Sequence, residues 1–282
     1  MIKFTLLMCI YAKENPAFLA ECLESIKKLT VKPDEILIVK DGPLPEELEA
    51  VLYKAQETGD ANWTDLQLPE NVTLGPARAA GVKAAKNEWI AIMDTDDICC
   101  PDRFEKQLQM IQDNPKLGLV GGQMTEFTDT PDKDVCNNKA PMKQSRVVPT
   151  KHNDIVKYAK LRNPFNHMTV MFRRDEVLSA GNYRLFHWFE DYDLWTRMIK
   201  TGTICANHQD ILVEARVNAG TYNRRRGKEY IRCEWRMQKQ LKELGIINCA
   251  ELLRNILIRF SVRLLPHKLL AGVYRKVLRS NN

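Results

Sequence analysis

The 282-residue sequence predicts an α/β chain built on a mostly parallel, doubly wound sheet flanked by helices. Two observations carry that expectation. Short apolar runs rich in β-branched residues alternate with segments whose apolar residues recur at helical spacing. Two of the runs end on aspartate, and ligands of such sheets bind at the carboxyl ends of strands.

The elements follow in order. Phe4–Ile10 reads as the first strand, and Pro16 opens a helix whose Phe18, Leu19, Cys22, Leu23, Ile26 and Leu29 share a face. Glu35–Val39 is the second strand, ending at Asp41-Gly42-Pro43, and a helix follows from Pro45. A weaker strand lies near Leu66-Gln67-Leu68. Gly75-Pro76 opens an alanine-rich helix to Lys86, and the strand Trp89–Met93 leads into Asp94-Thr95-Asp96-Asp97. Beyond Pro101 come a helix to Asn114, a strand at Leu117–Phe127, a helix at Asp154–Leu161 and a strand at Met168–Phe172. Further helices are expected at Asp191–Thr201 and Lys228–Leu244. The polar stretch 128–146 reads as a surface loop or insertion.

Composition narrows the class. Hydrophobic residues at 44% and charged residues at 28% are ordinary for a soluble globular protein. No run reaches the ~18 apolar residues of a membrane span, and Lys13 and Glu14 interrupt the apolar N-terminal stretch, which is no signal peptide. The eight cysteines have no zinc spacing or disulfide framework, so reduced, mostly buried thiols in a cytoplasmic protein are expected.

The net charge of +6 sits entirely in residues 250–282, where seven basic residues face Glu251 alone. A nucleic-acid enzyme would carry its excess around the cleft, so no nucleic-acid partner is expected. After Pro266, Leu269, Leu270, Val273, Tyr274, Val277 and Leu278 fall on one helical face, with Lys268, Arg275, Lys276 and Arg279 on the other. That pattern suits an anionic membrane surface; a helix pair docked on the main domain is the competing reading.

Chemistry concentrates at the strand ends. The three carboxylates of Asp94, Asp96 and Asp97 repel one another unless a cation joins them, and their oxygens suit Mn²⁺ or Mg²⁺. An acidic helix start would explain Asp97 and Asp102, but not an aspartate closing a buried strand. Asp41 is either a ribose or base contact or part of a plain turn. Arg78 lies in the first turn of the alanine-rich helix, where it faces phosphate or simply solvent.

Glu190-Asp191 follows the aromatic run Phe186–Phe189, which suggests a carboxylate of tuned basicity in a partly apolar pocket; a helix cap is the plainer alternative. His167, in the turn Asn163–His167, either binds an acceptor or pins its loop, and Trp195 on the following helix is grouped with it. Arg224-Arg225-Arg226 would clamp a diphosphate or meet lipid headgroups, against the ordinary reading of a solvated charge run.

Taken in order, Tyr11 with Lys13-Glu14, Pro33–Pro43, Gly75–Arg78, Asp94–Asp97, Pro101–Phe104, Asn163–His167 and Glu190–Tyr192 resemble an inverting family 2 glycosyltransferase of the GT-A fold. Within it the likeness is to the amylovoran-type and bacterial O-antigen glycosyltransferases. The resemblance covers residues 1 to about 220. It implies a Rossmann-like nucleotide-sugar-binding half at 1–100, an acceptor-binding half at 101–225, and membrane-associated helices at 226–282.

It further implies that Tyr11, Glu14 and Asp41 hold uridine. Asp94 and Asp96, with Asp97 supporting, would hold ribose and a Mn²⁺ or Mg²⁺ on the diphosphate. Asp191 would be the general base with Glu190 beside it. Many members carry paired aspartates after the second strand, and in this chain Lys40 takes the first place. The implied reaction moves a hexose, glucose before galactose, from a UDP-sugar to GlcNAc-diphospho-undecaprenol, forming a β-linkage at the inner face of the cytoplasmic membrane. A metal-dependent nucleotidyltransferase would carry a glycine- and basic-rich loop where Tyr11-Ala12-Lys13-Glu14-Asn15 stands. A non-catalytic sugar-nucleotide-binding module is the remaining alternative.

Overall fold

The computed structural model describes residues 2–57, 61–128, 145–217 and 228–264. Its strands are β1 (Phe4–Ile10), β2 (Glu35–Lys40), β3 (Trp63–Gln67), β4 (Trp89–Ile92), β5 (Ile98–Cys99), β6 (Leu117–Phe127), β7 (Ser145–Arg146), β8 (Met171–Arg173) and β9 (Ile204–Arg216). They form one sheet in the order β3-β2-β1-β4-β8-β6-β9-β5, with β7 beside β6. The β1–β4 block is parallel throughout, and β6 runs parallel to β9. Antiparallel pairing is confined to short ladders of two or three residue pairs, made by β8, β5 and β7. The sheet is thus mixed and mostly parallel, as the alternating pattern predicts.

Strand periodicity sends alternate residues to opposite faces, and two cores result. Leu6, Met8 and Ile10 of β1 pack with α1 (Pro16–Lys27), α2 (Glu46–Glu57) and α4 (Arg103–Asp113) through Leu19, Leu23, Leu52 and Phe104. Leu7, Leu37 and Val39 face α3 (Leu74–Ala84), α5 (His152–Ala159), α6 (Arg174–Ser179) and α7 (Glu190–Lys200). Helices on both faces are what a doubly wound sheet requires. Gly81 lets α3 settle on β1 and β2, since a Cβ there would stand 2.5 Å from a methyl of Leu7. A third cluster joins Phe186, Phe189 and Tyr192 to Met237 and Leu241 of α8 (Lys228–Glu243). The last helix, α9 (Cys249–Leu264), is tied down by Asn255, which donates to Gln238 and to the Lys160 carbonyl.

The structure corrects several expectations. The strand expected at Met168–Phe172 is a short 3₁₀ turn, His167–Thr169, followed by β8. Thr169 Oγ1 donates to the Asn166 carbonyl at 2.7 Å, a local bond that competes with a ladder. The thirteen-residue strand β9 was not expected, because Asn207–Asp210 interrupts its apolar pattern. Among the described residues Cys9, Cys22, Cys99, Cys205, Cys233 and Cys249 are free thiols, whereas Cys100 is disulfide-bonded. Residues 129–144 of the polar stretch, Arg224–Arg226 and the basic tail beyond 264 lie outside the described residues.

One backbone feature carries a testable consequence. Thr73, just before α3, adopts φ 72° and ψ 163°, a region that glycine alone enters freely. Its neighbours hold it there: the Val72 N–H donates to Asp41 at 2.7 Å, and Gly75 lies against the Arg184 carbonyl. Thr73→Gly should therefore stabilise the fold by about 1 kcal/mol, the relieved strain exceeding the entropy that glycine loses. Urea unfolding checks this, and a lower midpoint in the variant would contradict it.

Candidate active site

The acids at the strand ends meet those of α7 across one buried arginine. Asp94 follows β4, and Arg78, one turn into α3, donates from Nη2 to Asp94 Oδ1 at 2.9 Å. Nη1 of the same guanidinium stands 3.9 Å from Glu190 Oε1. Arg78 is 5% exposed, so its charge lies in low dielectric where it acts strongly on both carboxylates. His167 places Nδ1 3.9 Å from Asp94 Oδ1.

Asp191, in the first turn of α7, has its carboxylate held at both oxygens. Asn163 Nδ2 donates to Oδ2 at 2.6 Å, and the Tyr192 N–H donates to Oδ1 at 2.7 Å. Burial nevertheless raises its pKa, and burial likewise raises that of Glu190, against the opposing field of Arg78. Glu190 Oε2 is buried without a hydrogen-bond partner. A carboxylate made more basic by burial, yet kept near a cation, is suited to accept a proton from a hydroxyl.

The acid loop is crowded as expected. Asp97 is 3% exposed, and burial, reinforced by the charges of Asp96 and Asp94, raises its pKa. Its partner is Arg216 at the end of β9, a residue that sequence reasoning missed. The Arg216 N–H donates to Asp97 Oδ1 at 2.9 Å and Nε donates to the Asp96 carbonyl at 3.1 Å. The guanidinium lies between the rings of Phe18 and Phe127, at 4.0 and 4.6 Å, and pairs with Glu21. The only local signal was an arginine closing the mostly apolar run Ile211–Ala215; Asp97 and Asp96 stand 119 and 120 positions away in sequence.

Other candidates fall into place around this centre. Asp41 is buried at the end of β2, accepting from Asn71 at 2.9 Å and from Val72. It fixes the loop before α3, and a carboxylate retains capacity for a further donor. Lys40 points away from the site, paired with Glu49 at 2.6 Å and Asp65 at 3.0 Å. Tyr11, 38% exposed, and Glu14 sit in the turn after β1, where the Glu14 N–H donates to the Tyr11 carbonyl. Trp195 is fully buried in the core beneath His167, with the rings stacked at 6.1 Å, so it has no surface of its own for a ligand. A separate cavity of about 520 Å³, lined by Lys3, Lys86, Trp89 and Arg173, lies at the amino ends of β1 and β4, away from all these acids.

No cluster of three or more histidine, cysteine or acidic side chains among the described residues is arranged to hold a metal by itself. The donor set does fit a cation held partly by a ligand: Mg²⁺ and Mn²⁺ accept one or two carboxylates together with substrate phosphates. Asp94 and Asp96, both part-exposed beside buried Asp97, offer that arrangement.

Comparison with known proteins gives the family and the fold. The model for glycosyl transferase family 2 matches residues 5–178. The amylovoran biosynthesis glycosyltransferase AmsE of Erwinia amylovora is 38% identical over 282 residues, covering 97% of this chain and 98% of AmsE. The UDP-Gal:alpha-D-GlcNAc-diphosphoundecaprenol beta-1,3-galactosyltransferase of Escherichia coli is 34% identical over 277 residues, covering 98% of this chain and 97% of its own. Among solved structures, S. aureus TarS 1-349 in complex with UDP-GlcNAc superimposes with a TM-score of 0.64 at 16% identity, covering 98% of this chain and 76% of TarS 1-349. The last likeness is one of fold. With both the family model and these relatives matched, the chain belongs to glycosyl transferase family 2.

Proposed function

We propose that this glycosyltransferase moves galactose from UDP-galactose to a GlcNAc-diphospho-polyprenyl acceptor, inverting the anomeric centre to give a β-linkage in bacterial surface-polysaccharide assembly. The supporting observation is the convergence on Arg78 of the acid loop after β4 and the Glu190-Asp191 pair of α7. Donor-side and acceptor-side carboxylates then flank one reaction centre. The Escherichia coli relative named for UDP-Gal favours galactose, so the expectation of glucose gives way to it.

In this reading residues 1–100 bind the donor and 101–225 the acceptor. Asp191 takes the proton from the acceptor hydroxyl as that oxygen bonds to the anomeric carbon. The bond from that carbon to the diphosphate breaks in the same displacement, and UDP departs with the electron pair. Asn163 and the Tyr192 N–H keep the base oriented, burial and the Arg78 charge set its basicity, and Glu190 stands beside it. Tyr11, Glu14 and Asp41 cradle the uridine. Asp94 and Asp96, supported by Asp97 and Arg216, would hold a divalent cation, which supplies Lewis-acid neutralisation of the leaving diphosphate. A donor screen against a synthetic GlcNAc-diphospho-lipid tests the assignment: UDP-galactose should outpace UDP-glucose by at least about tenfold. Equal or inverted preference would return the donor to glucose.

The acceptor class also calls for a lipid surface. Among the described residues no helix is long and apolar enough to cross a membrane. α9 nevertheless exposes Leu253, Leu257 and Ile258, and Lys268, Arg275, Lys276 and Arg279 come after it in the sequence. We therefore place this end at an anionic bilayer on the cytoplasmic side, where Arg224–Arg226 serve as a further diphosphate or headgroup contact. Each basic residue near such a surface contributes about 1 kcal/mol, screened by salt. Replacing Lys268, Arg275, Lys276 and Arg279 with glutamine should abolish low-salt co-sedimentation with anionic vesicles. Wild-type protein that stays in the supernatant would end the membrane assignment.

A further inference from the structure

His167 is buried, 8% exposed, and only one of its two ring nitrogens is used. Nε2 lies 3.0 Å from the Tyr183 hydroxyl, whereas Nδ1 is buried with no hydrogen-bond partner. On that side Asp94 Oδ1 is 3.9 Å away, beyond hydrogen-bond range and already served by Arg78. The ring is clamped, stacked on Trp195 and edge-on to Tyr183. An imidazole held so firmly, with one polar atom unsatisfied beside the strand-end acid, is built for a ligand oxygen that enters from that side.

The surroundings select the tautomer. A lone pair on Nδ1 would face the Asp94 carboxylate, which is unfavourable, while an Nδ1–H there is attracted to it. With the proton on Nδ1, Nε2 becomes the acceptor and the Tyr183 phenol the donor. We propose that the Asp94 carboxylate, with Tyr183 bonded at Nε2, fixes His167 as an Nδ1–H donor that binds an oxygen of the donor's sugar-diphosphate beside Asp94. This rests on the UDP-sugar reading above. His167 is then a donor-binding residue, and Tyr183 is a positioning residue acting through it.

Two measurements test it. In the protein without ligand, long-range ¹H–¹⁵N spectra, assigned by comparison with His167→Gln, should show Nδ1 as the protonated nitrogen. Asp94→Asn should turn that single tautomer into a mixture. A His167 protonated at Nε2 overturns the proposal.

Calorimetric titration with UDP and with UDP-galactose, Mn²⁺ present, gives the second readout. Asparagine can place an amide N–H where Nδ1 stands, and glutamine reaches only the Nε2 position. His167→Gln should weaken UDP-galactose about tenfold or more, and His167→Asn should recover most of that loss. An equal loss with UDP alone assigns the bond to a diphosphate oxygen; a loss confined to UDP-galactose assigns it to a sugar hydroxyl. Affinities unchanged in both variants, or glutamine outperforming asparagine, overturn the proposal. Wild-type protein that binds neither nucleotide contradicts the UDP-sugar reading instead, and the tautomer still stands or falls on the spectrum.

Discussion

Asp191→Asn should lower turnover by at least about a hundredfold, the scale on which general bases contribute. The substitution keeps the size of the side chain, and its single amide oxygen can retain the bond from Asn163 or that from the Tyr192 N–H, at the cost of the other. What disappears is the proton acceptor. UDP affinity should stay near wild type, because in the proposed mechanism the carboxylate works on the acceptor hydroxyl and not on the nucleotide. Steady-state kinetics alongside UDP titration separates the two effects. Near-normal turnover in Asp191→Asn with a dead Glu190→Gln would exchange their roles.

The direction of the pH dependence follows from the same burial. A base must be ionised to act, so activity falls as pH drops through its pKa. Burial raises both Asp191 and Glu190, which places the acid limb above the ordinary carboxylate range. Arg78 opposes that shift, so its removal should move the limb to still higher pH.

The second large effect belongs to the acid loop. Asp96→Ala should nearly abolish transfer and should weaken UDP binding specifically in the presence of Mn²⁺ or Mg²⁺. Asp97, buried and crowded by its neighbours, gains most when a cation is added, and loss of one charge also relieves that crowding. The variant should therefore fold at least as stably as wild type without metal. The check is a pair of UDP titrations, with and without Mn²⁺. Full wild-type activity in excess EDTA would remove the metal from the mechanism.

The strand-end acids were legible in the sequence because their signal is local. An apolar run that stops on Asp94 or Asp41 states both the strand and its rim. Glu190-Asp191 was legible for the same reason, as acids opening a helix after an aromatic run. Arg216 was not, since its meaning lies in Phe18, Glu21, Asp96, Asp97 and Phe127, all brought in from other elements. Trp195 shows the opposite limit: the sequence grouped it with His167 as a ligand contact, but packing reveals that it lies fully buried beneath His167. Lys40 leaves the rim undisturbed, because strand alternation turns it toward Glu49 and Asp65 while Asp41 faces Asn71.

The most direct test of the inverting mechanism is the anomeric configuration of the product. UDP-galactose carries its sugar in the α-configuration, and purified protein supplied with that donor and a GlcNAc-diphospho-lipid should yield only the β-linked disaccharide, read from the proton coupling at the anomeric carbon. That outcome follows from one displacement with Asp191 on the acceptor side. An α-linked product would require two displacements or a front-face route, and would contradict Asp191 as the base and Glu190 as its support.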